Sequence, residues 1–335
     1  MKKKYILLII LVVLLFVGIN ERTPFLQKEG GGWSVGYGYS VGYPHKIEPE
    51  KNMIYSIEKL KSLNDSTVFL ADPFFLKEKD TFYLFFEHKK TKTNGDVGLM
   101  TSTDGKKYNY RGTVLTQKFH LSYPQVFKHE GGFYMIPETK QANAVLLYKA
   151  YNFPFDWRIC DTLIPGVRLK DPSIYLSDSL TVLVASDDNL NMFMYQADSL
   201  FGKWKLHKKP IALMGTEARA GGRFFADKNG LVLPVQNSTR GYGYGLSLFR
   251  FSFKEGNYTT KREISLFLKA NEKIKAFGAG MHHLDVQRID ANHYYYVYDG
   301  NRLASTSRNI NIRGPLKWSF IDSKNWIIKK CDYFN

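Results

Sequence analysis

Apolar and polar positions along this chain follow the period of a strand rather than that of a helix. Short runs of β-branched and aromatic residues, such as Thr81-Phe82-Tyr83-Leu84-Phe85-Phe86 and Phe133-Tyr134-Met135-Ile136, are separated by Gly, Asn, Asp and Ser, the residues of turns. Leu180-Thr181-Val182-Leu183-Val184 and Asn191-Met192-Phe193-Met194-Tyr195 repeat the pattern. Some runs open in a regular way: Asp72-Pro73 precedes Phe74-Phe75, Tyr123-Pro124 precedes Gln125-Val126-Phe127, and Asp171-Pro172 precedes Ser173-Ile174-Tyr175. Looser versions stand at Gly221-Gly222-Arg223 and His282-His283-Leu284. From Pro73 to Pro124 is 51 residues, to Pro172 another 48, to Gly222 another 50 and to His283 another 61. A near-constant period of this length indicates a solenoid, propeller or array.

Each unit reads as an opening strand, a turn, a second strand and a third. Sheets of three or four antiparallel strands cannot bury both faces alone, but stacked radially they form a propeller with short, protected edges. The expectation is therefore an all-β, five-bladed propeller spanning 67–335. Residues 21–66 are expected to form a linker and an edge strand beginning at Trp33, and Trp318 to Ile328 a strand that closes the ring. The opening strands would lie nearest the axis, so Asp72, Tyr123, Asp171, Arg223 and His282 or His283 would converge on one central pocket.

Composition agrees with a large single core: of 335 residues, 44% are hydrophobic and 15% aromatic. Cys160 and Cys331 are too far apart in sequence to suggest a metal motif, and no disulfide framework supports the fold. The net charge of +16 comes from 47 Lys and Arg against 31 Asp and Glu, scattered through the turns. A solvated surface accounts for it, as does long-range attraction to anionic glycans or acidic lipid. Without a nucleic-acid motif, the charge does not point to DNA or RNA.

The N-terminus adds a different signal. Lys2-Lys3-Lys4 precedes the uncharged run Tyr5 to Ile19, short for a span and suited to a signal-peptide core. Because neither a small-x-small cleavage site nor a lipid-bearing cysteine follows, residues 1–20 read equally as a cleaved signal or as an anchor with cytoplasmic lysines. On either reading the body is exported.

The motifs carry two resemblances. Ala71-Asp72-Pro73 and Lys170-Asp171-Pro172 resemble the two aspartate positions of five-bladed glycoside hydrolases of the family 43 type, and Glu217 in Thr216-Glu217-Ala218-Arg219 is the best placed glutamate. The Gly-Pro that usually follows that family's acid is absent. More closely, the chain is similar to the domain at the N-terminus of plant glucosamine inositolphosphorylceramide transferases, also found in bacterial proteins. That likeness rests on Ala71-Asp72-Pro73-Phe74, Phe86-Glu87, Phe119-His120-Leu121-Ser122-Tyr123-Pro124, Pro137-Glu138-Thr139, Arg219-Ala220-Gly221-Gly222, Gln236 and Gly280-Met281-His282-His283.

These resemblances imply a carbohydrate-active pocket in which Asp72 is the base, Asp171 raises the pKa of the acid and holds the sugar, and Glu217 is the acid of an inverting hydrolase, with Glu138 as the alternative. Glu87, Glu138, Arg219, Arg223, Gln236, His120, His282 and His283 are candidate sugar contacts. Tyr123 and Tyr244 are candidates to stack on a pyranose. Glu87 and Glu138 read equally well as ion-pair partners of Arg219 or Arg223. Adjacent His282 and His283 point to opposite faces of a strand, which argues against a zinc site; a structural calcium on the axis stays open, and no other cofactor is expected. The alternative function is a non-catalytic sugar-binding module serving glycan or glycolipid assembly at the membrane; a transferase acting on a lipid-linked or nucleotide sugar is a third reading.

Overall fold

Phe74 and Phe75 are adjacent in sequence, both buried, and packed into different cores. Successive side chains of a strand point to opposite faces of its sheet, so a sheet with both faces covered must sit between two others. A computed structural model describes residues 2–64, 66–207, 209–227, 229–254 and 256–329. After the helix α1 (Lys2–Arg22) come β1 (Leu26–Val41), β2 (Met53–Tyr55) and the short helix α2 (Ile57–Leu63). Next are β3 (Thr67–Glu78), β4 (Thr81–Lys90), β5 (Gly95–Ser102), β6 (Asn109–Leu115), β7 (Ser122–His129), β8 (Gly132–Glu138), β9 (Ala144–Asn152) and β10 (Phe155–Pro165). The chain continues through β11 (Lys170–Leu176), β12 (Thr181–Ser186), β13 (Met192–Ala197), β14 (Lys205–Leu206), β15 (Phe225–Asp227), β16 (Gly230–Asn237), β17 (Gly245–Lys254) and β18 (Asn257–Lys269). It ends with β19 (Leu284–Arg288), β20 (His293–Ile310) and the helix α3 (Arg313–Lys329).

The twenty strands form five four-stranded antiparallel sheets, the blades of an all-β propeller. Blades one to four are β3–β6, β7–β10, β11–β14 and β15–β18, each in chain order. Blade five has the order β19-β20-β1-β2, so the N-terminal strands close the ring. This corrects two expectations. The segment before the first repeat supplies two strands of a blade and starts at Leu26 rather than Trp33, and the stretch from Trp318 to Ile328 is helical and closes nothing. In the closure, Gly36 lies opposite Tyr298 and Gly38 opposite Tyr296. A Cβ on Gly36 would come within 2.4 Å of the Tyr298 ring, and one on Gly38 within 2.8 Å of the Tyr296 hydroxyl. The alternating Gly-Tyr pattern of β1 is therefore the space that the tyrosines of β20 fill.

Asp72, Tyr123 and Asp171 have φ of 50°, 51° and 48°, and each precedes a proline. The strand register skips there, between Ala71 and Phe74, Ser122 and Gln125, and Lys170 and Ser173. These are bulges, where a residue without a ladder N–H does no harm. Left-handed backbone at a residue other than glycine costs roughly 1–3 kcal/mol, and proline disfavours it further at the preceding position. Blade four reaches the equivalent position with Gly222 at φ 154°, where a Cβ would stand 1.8 Å from the Leu284 carbonyl oxygen.

Candidate active site

The bulges turn the first residue of each pair toward the axis, and the second strands add Glu87, Glu138 and Asp299. Ala71 is opposite Glu87 and Ser122 opposite Glu138 in the strand registers. Asp72, Glu87, Glu138 and Asp171, from three blades, all lie near enough to act electrostatically on one another and on Arg219 of the fourth blade. The two aspartates expected to meet across 99 residues of sequence are thus brought together.

Burial dominates their chemistry. It pushes Asp72 up to about 7, with Asp171 and Asp299 adding to the rise and His282 opposing it. Glu138 is pushed up to about 8 by burial, by the charge of Asp171 and by hydrogen bonding to that carboxylate, while Arg219 pulls the other way. Burial and then Asp72, Glu138 and Asp171 hold Glu87 well above the usual carboxylate range. Too little positive charge is present to keep all four acids ionised, and neutralisation is the cheaper course for a buried carboxyl. Glu138 Oε2 has no donor in hydrogen-bond range, its nearest cation being Arg219 Nη2 at 3.9 Å. A proton on Glu138 is what allows it and Asp171 to hydrogen-bond.

Asp171 is bound through both oxygens. Arg219 Nε donates to Oδ2 and Arg219 Nη2 to Oδ1 at 3.2 Å, while Gln236 Nε2 donates to Oδ2 at 3.0 Å. His120 accepts the Gly95 N–H at Nδ1 at 3.0 Å, so in its neutral form the proton sits on Nε2, which faces Glu87 Oε1 at 3.4 Å. Burial lowers the pKa of His120, in keeping with that neutral form.

His282 is held by Asp299, whose Oδ2 is 2.8 Å from Nδ1, and its Nε2 faces Asp72 Oδ1 at 3.9 Å. Burial works against charging this ring, but Asp299 and Asp72 outweigh it and raise its pKa. Trp33 stacks on His282 with centroids 3.9 Å apart, and the exposed Tyr242 meets it edge-on at 5.8 Å. Tyr242 also lies under the Arg219 guanidinium at 5.7 Å. Asp72, His282 and Asp299 offer donor atoms within 4.8 Å of one another, a set able to hold a cation. Asp299, however, already accepts the N–H groups of Asp72, His282 and His283 as well as Nδ1 of His282. A cation there would compete with four donors, so the trio suits the positioning of an imidazole better than metal binding.

Five candidates stand apart from this pocket or serve the ring. Glu217 turns outward within blade four: Asn237 Nδ2 and Ser247 Oγ donate to Oε1 at 2.9 and 2.6 Å, and Arg262 Nη1 to Oε2 at 2.5 Å. Arg223 binds Asp285 at 2.6 Å and the carbonyls of Phe75 and Val126 at 3.2 and 2.9 Å, tying blades one, two, four and five together. The Tyr123 hydroxyl accepts the Gly222 N–H at 2.6 Å and lies 2.7 Å from Ser173 Oγ, a tie across blades two, three and four. His283, wedged edge-on against Phe74 and Tyr123, is pushed down to about 3 by burial and is neutral. Tyr244 has no pocket contact among the described residues. Cys160 is exposed and free, and Cys331 lies outside the described residues.

The sequence reading overlooked Asp299, Trp33 and Tyr242. Asp299 had a legible signal, since the acid in Tyr298-Asp299 follows the apolar run of a second strand as those in Phe86-Glu87 and Pro137-Glu138 do. Trp33 and Tyr242 come from the closing strand and a loop, outside the repeat.

An acid-lined axis within five four-stranded blades places the chain in the class of five-bladed propellers that includes glycoside hydrolases. The catalytic domain of a Coprinopsis cinerea family 62 α-L-arabinofuranosidase matches with a TM-score of 0.54 at 14% identity, over 79% of this chain and 97% of that one. A thermostable family 43 glycoside hydrolase matches with a TM-score of 0.52 at 11% identity, over 69% and 88%. At these identities the likeness concerns the fold. The chain belongs to the family described as "Glucosamine inositolphosphorylceramide transferase 1, N-terminal", whose model matches residues 42–301. Glucosamine inositolphosphorylceramide transferase 1 of Oryza sativa subsp. japonica is 34% identical over 251 residues, 71% of this chain and 34% of the relative. That of Arabidopsis thaliana is 30% identical over 307 residues, 83% of this chain and 40% of the relative. The chain thus spans between a third and two fifths of these relatives' length.

Proposed function

We propose that the axial pocket receives a sugar unit of an exported glycan or glycolipid and cleaves its glycosidic bond with inversion, Glu138 serving as acid and Asp72 as base. The observation that carries this reading is the buried Glu138, with an oxygen that no donor reaches, beside an Asp171 held through both oxygens by Arg219 and Gln236. In the reaction Glu138 gives its proton to the leaving oxygen as that C–O bond breaks, while water attacks the anomeric carbon and loses its proton to Asp72. Glu138 ends ionised and Asp72 protonated, and exchange with solvent resets both. His282, its pKa raised by Asp299 and Asp72 and its Nε2 aimed at Asp72, favours the ionised form that the base requires. Trp33 and Tyr242 offer the apolar surfaces on which a pyranose stacks.

A second reading has a specific observation behind it. The glutamate of blade four, Glu217, is spent on Arg262, which favours a non-catalytic sugar-binding module serving glycolipid assembly, in line with the transferase names of the longer relatives. Glycan fragments, glucosamine-containing ones among them, distinguish the two when assayed for binding by calorimetry and for product release. Binding with release that Glu138→Gln abolishes supports the hydrolase. Binding without release supports the module, and no binding by any fragment would remove both.

A further inference from the structure

α3 is amphipathic in an inverted sense. Apart from Pro315 the residues it buries are polar, with Asp322 fully buried and Ser319 and Asn325 nearly so, whereas Phe320, Ile327 and Ile328 are 71, 69 and 67% exposed. The polar face is what attaches the helix to the ring. Asp322 accepts the Thr216 N–H at 3.0 Å and the Thr216 hydroxyl at 2.7 Å, and Asn325 Nδ2 donates to the Leu213 carbonyl at 3.0 Å. Asp322 also pairs with Arg22, the last residue of α1. A helix that faces water would have the reverse arrangement.

We propose that α3 lies in the lipid–water interface of a membrane, beside the end of α1, as a second and lateral contact of the propeller with lipid. Three observations commit the exposed face to lipid. First, it is continuous with α1, whose residues 3–22 are long and apolar enough to cross a bilayer at mean hydropathy 2.2, with none of them buried. At about 1.5 Å per residue this length matches a hydrocarbon core of roughly 30 Å. Second, the two helices flank an apolar groove of about 520 Å³ lined by Leu14, Leu15, Ile19, Leu316 and Phe320, beside the last two turns of α1. Third, among the described side chains the exposed charges on α3 are Arg313, Lys317 and Lys324, all basic, and its one acid is the buried Asp322. At 3.6 residues per turn these basic residues share the arc of Phe320, Ile327 and Ile328, and their long side chains can reach up to headgroups while the apolar ones enter the acyl boundary. Through Thr216 the same helix also clamps the loop that delivers Arg219 to the acid pocket.

The test uses the full chain in vesicles of phosphatidylcholine and phosphatidylglycerol, with Cys160 and Cys331 replaced by Ser and single spin labels at Phe320→Cys, Ile327→Cys and, as a reference on an exposed strand, Tyr151→Cys. Labels at 320 and 327 are expected to relax more with oxygen than with a water-soluble nickel chelate, and the label at 151 the reverse. Chelate-dominated relaxation at 320 and 327 would overturn the proposal. So would protection at 320 and 327 that depends on protein concentration and persists in detergent, because a second copy would then be the occupant. Thermal melts of each labelled variant establish that the ring is intact, so a folding defect is not mistaken for exposure.

Discussion

Two buried charge clusters share the axis of this propeller and differ in how completely they are matched. Around Arg223, one guanidinium meets one carboxylate and two carbonyls, and Asp285 also accepts the Phe75 N–H at 2.9 Å. Burial lifts Asp285, and Arg223 with these donors draws it back. Around Arg219, four carboxyls share one guanidinium and a histidine, and Glu138 keeps an oxygen without a donor. Burial thus yields a fastening in one place and, in the other, three carboxyls, Asp72, Glu87 and Glu138, whose pKa values it raises. Perturbed groups of the second kind are the ones that can exchange a proton with a ligand.

Breaking the matched cluster should have the largest effect. Arg223→Met strands Asp285 at the junction of four blades, and removing one partner of a buried ion pair costs about 3–5 kcal/mol. Chemical denaturation measures it, and a loss much smaller than this would mean that the junction is not the fastening described. Glu217→Gln should come next, since it removes the charge that Arg262 pairs with inside blade four, at roughly 1–3 kcal/mol. Ligand binding at the axis should be unchanged in this variant, whereas lost binding would return Glu217 to the pocket.

Glu138→Gln should change stability least near neutral pH, because the amide replaces a carboxyl that is already uncharged. Its effect lies in the pH dependence. Asp72 rises from 3.8 to about 7 and Glu138 from 4.5 to about 8 on folding. Between these limits the folded chain binds more protons than the unfolded one, so the stabilising contribution is complete below about pH 4 and is lost as pH rises to about 8. Melting temperatures of the wild type should fall over that window, and the slope should be shallower in Glu138→Gln. Equal slopes would mean that Glu138 is ionised in the native state.

The contrast also separates what the chain discloses locally from what it does not. The blades were legible because the bulge before Pro73, Pro124 and Pro172 is a local constraint, repeated with a side chain aimed inward. Pairing of β1 with β20 joins residues more than 250 positions apart, and Gly36 or Gly38 makes sense only opposite its tyrosine. Trp318 to Ile328 misled for a different reason: reading apolar residues as buried inverts a helix whose polar side faces the protein. Among the site residues, Asp72 and Asp171 follow from the bulge. Glu217 could not be told from Glu138 by sequence, since its direction is set by Arg262 on a strand 45 residues later.

The proton on Glu138 is the central point, and infrared spectroscopy of the carboxyl stretch reads it directly. Wild-type protein at pH 7 should show a protonated-carboxyl band that loses intensity in Glu138→Gln and persists in Glu217→Gln, and the component lost in Glu138→Gln should titrate near pH 8 in the wild type. A band absent at pH 7, or unchanged by Glu138→Gln, would contradict the account and leave the axial acids as ionised partners of Arg219.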